Sequence, residues 1–148
     1  MAKAFNVGVL AWSPLARGVS SWKYHGEGKA DEGRMSKEGV KEFLPEEERT
    51  ARIISALKSV SEQVGRSMAQ VALAWLRHQT APIIPIIGAR KVSQLQDNLA
   101  SLDLELSPEQ LKSLDGASGI EREFPQSIYE RETVRAIRYG GLRDRLLV

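Results

Sequence analysis

The 148-residue chain reads as an α/β protein, helix-rich, whose strands belong to a larger barrel or sheet, and three observations carry that reading. Two short runs, one closing at Trp12 and one spanning Ile83 to Ile87, are almost wholly apolar, the pattern of strands covered on both faces. Between and after them lie segments whose apolar residues recur at helical spacing. The second run empties into Gly88-Ala89-Arg90-Lys91 just ahead of a helix start. Strands that alternate with helices pair in parallel through right-handed crossovers. Two such strands leave an edge and a face open unless further strands complete the sheet.

Element by element, a strand is expected over residues 5–12, closed by Ser13-Pro14-Leu15, and a long irregular segment follows to residue 44. Helices are expected over 45–79. Pro45 and Glu46 to Glu48 open the first, Ile53, Ile54, Leu57, Val60 and Val64 share its apolar face, and Gly65 ends it. Ser67-Met68-Ala69-Gln70 is a capping box for the second, which has so little polar surface before Arg77 and His78 that it should be largely buried, Trp75 included. His78 suits the helix C-terminus, where it favours the dipole, better than a catalytic role. A second strand is expected over 82–88. Residues 93–148 supply the C-terminal helices and tail, with caps read at Ser93-x-x-Gln96 and Ser107-Pro108-Glu109-Gln110.

Composition narrows the chemistry. At 42% hydrophobic and 27% charged residues the chain resembles one ordinary soluble domain, and a net charge of +2 with interspersed signs argues against general polyanion binding. No cysteine is present, so disulfides, thiolate catalysis and Cys-ligated zinc are excluded. Two isolated histidines, His25 and His78, are a poor basis for a metal site. The apolar run ending at Trp12 is too short for a signal or membrane segment, and the expected location is the cytoplasm. In the tail, Arg131, Arg135 and Arg138 stand at helical spacing, but Glu121, Glu123, Glu130, Glu132 and Asp144 interleave with the arginines. A solvated or docked face is therefore expected rather than nucleic-acid or membrane binding.

The Gly88–Lys91 turn has the make-up of an anion site. Glycine admits close approach of a ligand, the leading amides of the next helix donate, and Arg90 and Lys91 carry countercharge. A dianionic phosphate beside a guanidinium is the natural ligand.

Several longer motifs carry a family resemblance: Gly8-Val9-Leu10-Ala11-Trp12-Ser13-Pro14-Leu15-Ala16-Arg17-Gly18, the Lys23-Tyr24 pair, Ala69-Gln70-Val71-Ala72-Leu73-Ala74-Trp75-Leu76, and Ile86-Ile87-Gly88-Ala89-Arg90 with Gln94-Leu95-Gln96-Asp97-Asn98. Across nearly its whole length the chain resembles the C-terminal portion of an aldo/keto reductase, a (β/α)8 TIM barrel that binds NADP(H). The nearest branch is the one holding bacterial general aldo/keto reductases and potassium-channel β subunits, where a glutamine also occurs at the position of Gln94. The resemblance implies that residues 5–12 and 82–88 are barrel strands 7 and 8, and that residues 13–44 form a cofactor loop. It implies that Trp12, Ser13, Pro14, Leu15, Ala16 and Arg17 line the pyrophosphate and nicotinamide-ribose side, with Lys23 and Arg34 closing over the cofactor. Gly88, Arg90 and Gln94 would surround the 2′-phosphate, with Asp97 and Asn98 reaching the adenine edge. NADP is expected over NAD, although many family members have an arginine where this chain has Gln94.

The resemblance also implies that the family's catalytic Asp, Tyr, Lys and His belong to the barrel's first half, so the chain would hold a cofactor clamp without the proton donor. It would then be a truncated, catalytically incomplete portion of an NADP(H)-dependent carbonyl reductase, taking a small carbonyl substrate only in a complete barrel. The alternative is a non-catalytic nucleotide-responsive or assembly module that self-associates or pairs with an N-terminal barrel half. Lys23-Tyr24-His25 with Asp31 repeats the catalytic residue types, but adjacent residues project in different directions and the ordinary loop reading stands.

Overall fold

A computed structural model describes residues 1–21, 47–120, 123–142 and 145, which fall into two compact units, Met1–Ser118 and Gly119–Val148. Lys23, Tyr24, His25, Asp31, Arg34, the helix opening at Pro45, Glu121, Arg122, Arg143 and Asp144 lie outside the described residues.

In the first unit the order is β1 (Val9–Trp12), a 3-10 segment (Ala16–Ser21), α1 (Glu47–Val64), α2 (Met68–Arg77), β2 (Ile83–Ile86), α3 (Val92–Leu99), a 3-10 turn (Ala100–Asp103) and α4 (Pro108–Ser118). The strands pair in parallel, as their composition predicts, with Val9 opposite Ile83 and Trp12 opposite Ile86. Both are shorter than expected. Residues ahead of β1 bond among themselves, Phe5 N–H to the Met1 carbonyl at 3.1 Å and Val7 N–H to Ala2 at 3.0 Å, so the ladder starts only with Val9 N–H on Pro82 at 2.8 Å. It stops at Trp12 and Ile86 because Ser13, at φ 54°, turns the chain away and leaves Ile87 without a neighbour.

Pleating sends Val9, Ala11, Ile83 and Pro85 to a half-buried face, and α2 packs on β2. The opposite face carries Leu10, Trp12, Ile84 and Ile86, which are 46 to 69% exposed. Within this unit the sheet is covered on one side.

The core lies among the helices. Leu57 and Val60 of α1, Val71, Ala72 and Ala74 of α2, Leu104 and Leu106 between the second 3-10 turn and α4, and Leu114 of α4 form one buried cluster. α2 is its centre: every residue from Ala69 to Ala74 is buried, as its near-absence of polar side chains predicts. Trp75 is half-buried against the cluster and donates its Nε1–H to Asp115 at 2.7 Å. A cavity of about 80 Å³ lies beside Leu57, Ala72, Trp75 and Leu114.

Helix ends follow local chemistry. Gly65, at φ 63°, closes α1, and Arg66 N–H donates back to the Ser61 carbonyl at 3.1 Å. Ser67 Oγ accepts the Gln70 amide at 3.2 Å to start α2. At its other end the His78 ring lies between the Ala74 carbonyl, 2.8 Å from Nδ1, and Glu105, 2.9 Å from Nε2. α4 has a full capping box: Ser107 Oγ accepts from Gln110 N–H at 3.3 Å while Gln110 Oε1 accepts from Ser107 N–H at 2.9 Å. The cap read at Ser93 and Gln96 is corrected. The helix begins earlier, at Val92, which puts Ser93 inside the first turn, and Gln94 is the residue that reaches back.

The Ser107 hydroxyl also donates to Glu109 at 2.8 Å, and with the residue's own amide holds that exposed carboxyl below its usual range. A lowered folded value means stability that is present at neutral pH and lost as pH falls through that value. Ser107→Ala is expected to cost about 1 kcal/mol through the lost cap. In urea melts the gap between the two proteins should narrow below the carboxylate range; a gap that does not change with pH would refute the link to Glu109.

The second unit holds α5 (Gln126–Glu130) and α6 (Glu132–Tyr139). The expected arginine stripe is broken. Arg131 is the extended residue between the helices, at φ −65° and ψ 130°, and the Arg138 guanidinium lies 5.4 Å from the centroids of both Tyr129 and Tyr139.

Candidate functional site

Parallel pairing puts the C-terminal ends of β1 and β2 at the same end of the sheet. With Trp12 opposite Ile86, the turn after each strand starts from the same rung. In open α/β sheets and barrels, ligands gather at this end. The segments the sequence singled out, Trp12–Arg17 and Gly88–Asn98, are the two that leave it.

The first turn is conformationally costly. Ser13, Ala16 and Arg17 have φ of 54°, 46° and 57°, and Gly18 has 111°. Left-handed backbone costs a non-glycine residue about 1–2 kcal/mol, and such residues cluster at functional sites. Two short bonds hold the turn, Ala16 N–H to Ser13 O at 2.8 Å and Gly18 N–H to Leu15 O at 2.9 Å. The Arg17 guanidinium sits 5.7 Å from the Trp12 ring centroid, within cation–π range. Trp12 itself is 69% exposed, and Ser13, Pro14 and Leu15 are half-buried beneath it in the chain, with Ala16 exposed.

The second turn is open. Gly88, Arg90 and Lys91 are exposed, and a Cβ built on Gly88 would meet nothing within 4 Å. Gln94 organises the turn through its side chain: Oε1 accepts from the Arg90 amide at 3.0 Å and the Lys91 amide at 3.4 Å. Those two amides are therefore committed. The donors this helix start offers an anion are the first amides of α3, the Gln94 Nε2 group and the Arg90 side chain.

Asp97 and Asn98 stand one turn further along α3 and face protein. Asp97 Oδ2 accepts the Ser67 hydroxyl at 2.9 Å and Oδ1 accepts Gln70 Nε2 at 2.7 Å. Asn98 is 6% exposed. Sequence reasoning found Ser67 and Gln70 as a cap but had no signal for their link to Asp97, which spans 30 and 27 residues.

A model of the aldo/keto reductase family matches residues 1–118, the whole first unit. The chain belongs to the aldo/keto reductase family. Among relatives of this reductase-family chain, a putative aryl-alcohol dehydrogenase of Saccharomyces cerevisiae is 29% identical over 129 residues, covering 84% of this chain and 82% of its own length. A norsolorinic acid reductase of Emericella nidulans is 30% identical over 127 residues, and the L-glyceraldehyde 3-phosphate reductase of Escherichia coli O157:H7 is 34% identical over 115. The chain spans only 30% and 33% of those two proteins. Family membership brings the expectation of a TIM barrel and of a nicotinamide cofactor, and the parallel two-stranded sheet with its helices is consistent with a part of such a barrel. Among the described residues no helix is long and apolar enough to cross a membrane.

Proposed function

We propose that these residues are the NADP(H)-binding portion of an aldo/keto reductase that reduces carbonyl groups, with β1 and β2 as barrel strands 7 and 8. The observation that carries the reading is the parallel register, which sets the strained Ser13–Gly18 turn beside the open Gly88–Gln94 turn. In this reading Gly88, Arg90 and Gln94 hold the 2′-phosphate, and Trp12, Ser13, Pro14, Leu15, Ala16 and Arg17 line the pyrophosphate and nicotinamide side. The family resemblance assigns Lys23 and Arg34 to the same cofactor, and Asp97 and Asn98 to its adenine edge, where Asp97 bonds Ser67 and Gln70 in this structure.

The residues fit the group. Exposed Arg90 beside a helix start suits a dianion, and the open space at Gly88 suits close approach of a ligand. When bound, NADPH supplies the hydride. This chain's own residues bind and orient the cofactor, and the proton donor comes from barrel strands outside the 148 residues. Steady NADPH oxidation with an aldehyde by this chain alone would contradict that division of labour.

Titration of NADPH and NADH fluorescence with the purified chain tests the site. NADPH should bind more tightly, and Arg90→Ala should weaken NADPH by about 10–100-fold, the worth of a charge-assisted hydrogen bond, while leaving NADH nearly unchanged. Equal affinity for the two nucleotides, or a mutant that keeps the preference, would remove the site.

The exposed face of Leu10, Trp12, Ile84 and Ile86 favours a second, compatible reading, in which the chain is an assembly module whose sheet is completed by another chain.

A further inference from the structure

Val92, Leu95 and Leu99 of α3 and Leu102 of the 3-10 turn after it follow one another at steps of three, four and three residues, the spacing of a single helical face. They are 73, 41, 46 and 56% exposed. At a rise of about 1.5 Å per residue they form a stripe about 15 Å long. The neighbouring face is committed, because Asn98 and Ser101 are buried and α3 packs on α2. Single exposed leucines are ordinary, but a continuous apolar stripe marks a surface that another element covers. The order of the helical layer indicates which element that is. α1 packs on α2 and on the 3-10 segment that follows β1, α2 packs on β2, and α3 packs on α2. The layer therefore advances from the β1 side to the β2 side, the same way as the sheet, and α3 stands at its β2 end. β1 occupies one edge of β2, which leaves the edge on the α3 side free within this two-stranded sheet. A further parallel strand on that edge needs a helix over the same face of the sheet, and the next place in the layer lies along the α3 stripe.

We propose that the stripe is a docking surface for an amphipathic helix of the polypeptide that completes the sheet, a strand–helix unit whose strand pairs with the free edge of β2 and whose helix lays aliphatic side chains on Leu95, Leu99 and Leu102. The role rests on the barrel reading above. It adds the helical layer as a second joining surface beside the open face of the sheet. The L-glyceraldehyde 3-phosphate reductase of Escherichia coli, of which this chain covers 33%, has the length to supply such a unit.

The test coexpresses this chain with the part of that reductase it does not match and isolates the complex by size exclusion with light scattering. Leu99→Glu and Leu102→Glu should each lower the yield of 1:1 complex by about tenfold or more, because closing the layer would bury a carboxylate among aliphatic side chains. Leu99→Met, which conserves volume, should keep the wild-type yield. Amide hydrogen exchange over residues 92–102 should slow by about tenfold or more in the wild-type complex relative to the isolated chain. Both leucines are about half exposed, so the variants should keep the circular dichroism of the wild type. Should a glutamate variant not fold, the exchange measurement on the wild type decides. A complex that tolerates both glutamates, or whose residues 92–102 exchange as in the isolated chain, overturns the docking surface alone. A homodimer of this chain that Leu99→Glu dissolves and the added part does not displace would give the stripe to a second copy and overturn the proposal. Failure of the wild-type chain to form any complex overturns the completed barrel and this surface together, whereas failure of the cofactor reading shows separately in the NADPH titration.

Discussion

Leu57→Ala is expected to lower the unfolding free energy by about 2–5 kcal/mol, a large share of the 5–15 kcal/mol typical of a domain. Leu57 is 5% exposed and sits in the cluster that joins α1, α2 and α4. The residue also borders the cavity of about 80 Å³ that Leu114 borders from α4. Truncation removes transfer energy and leaves a space beside a pocket that is already only partly closed, so the cost should fall within that range. Because Leu57 and Leu114 share the void, the double variant should depart from the sum of the single ones. Urea unfolding followed by far-ultraviolet circular dichroism measures both effects. A loss under 1 kcal/mol for Leu57→Ala would mean that the helical cluster is not what stabilises this unit.

The parts of this architecture that were legible in the sequence are those set by neighbouring residues. Apolar runs at Val9–Trp12 and Ile83–Ile86 announced parallel strands, although one face of the pair is exposed, and Ser67-x-x-Gln70 and Ser107-x-x-Gln110 announced helix starts, because a cap and its target lie three residues apart. The start of α3 was misread for a local reason. Ser93 resembles a cap, but Val92 takes the first helical position and Gln94 supplies the side chain that bonds back to the Arg90 amide. The arginine stripe failed because Arg131 is extended, which breaks the helical spacing between α5 and α6. The hydrogen bonds from Ser67 and Gln70 to Asp97 were invisible in principle. Its partners lie 30 and 27 residues away, and nothing in the local pattern distinguishes a carboxylate aimed at a base from one aimed at a neighbouring helix.

The second large effect concerns the open side of the sheet. Parallel strands are stable when both faces are covered, yet Leu10, Trp12, Ile84 and Ile86 expose 66, 69, 57 and 46% of their surface. The L-glyceraldehyde 3-phosphate reductase of Escherichia coli has about three times the length this chain matches, with 33% of that protein covered. Under the proposed reading, the unmatched part of that relative supplies the remaining barrel strands and the proton donor. Coexpression of this chain with that part is expected to give a 1:1 complex on size exclusion with light scattering, and NADPH oxidation with an aldehyde that neither part has alone. Ile84→Glu should abolish both, because completing the sheet would bury a carboxylate with no partner at a cost of several kcal/mol. Ile84 is far enough from the proposed phosphate turn along β2 that NADPH binding by the isolated chain should survive the substitution. A homodimer of this chain that persists in the presence of the added part would favour self-association as the way the face is covered. If the complex forms equally well with Ile84→Glu, the exposed face is not the joining surface, and completion of the barrel through it is excluded.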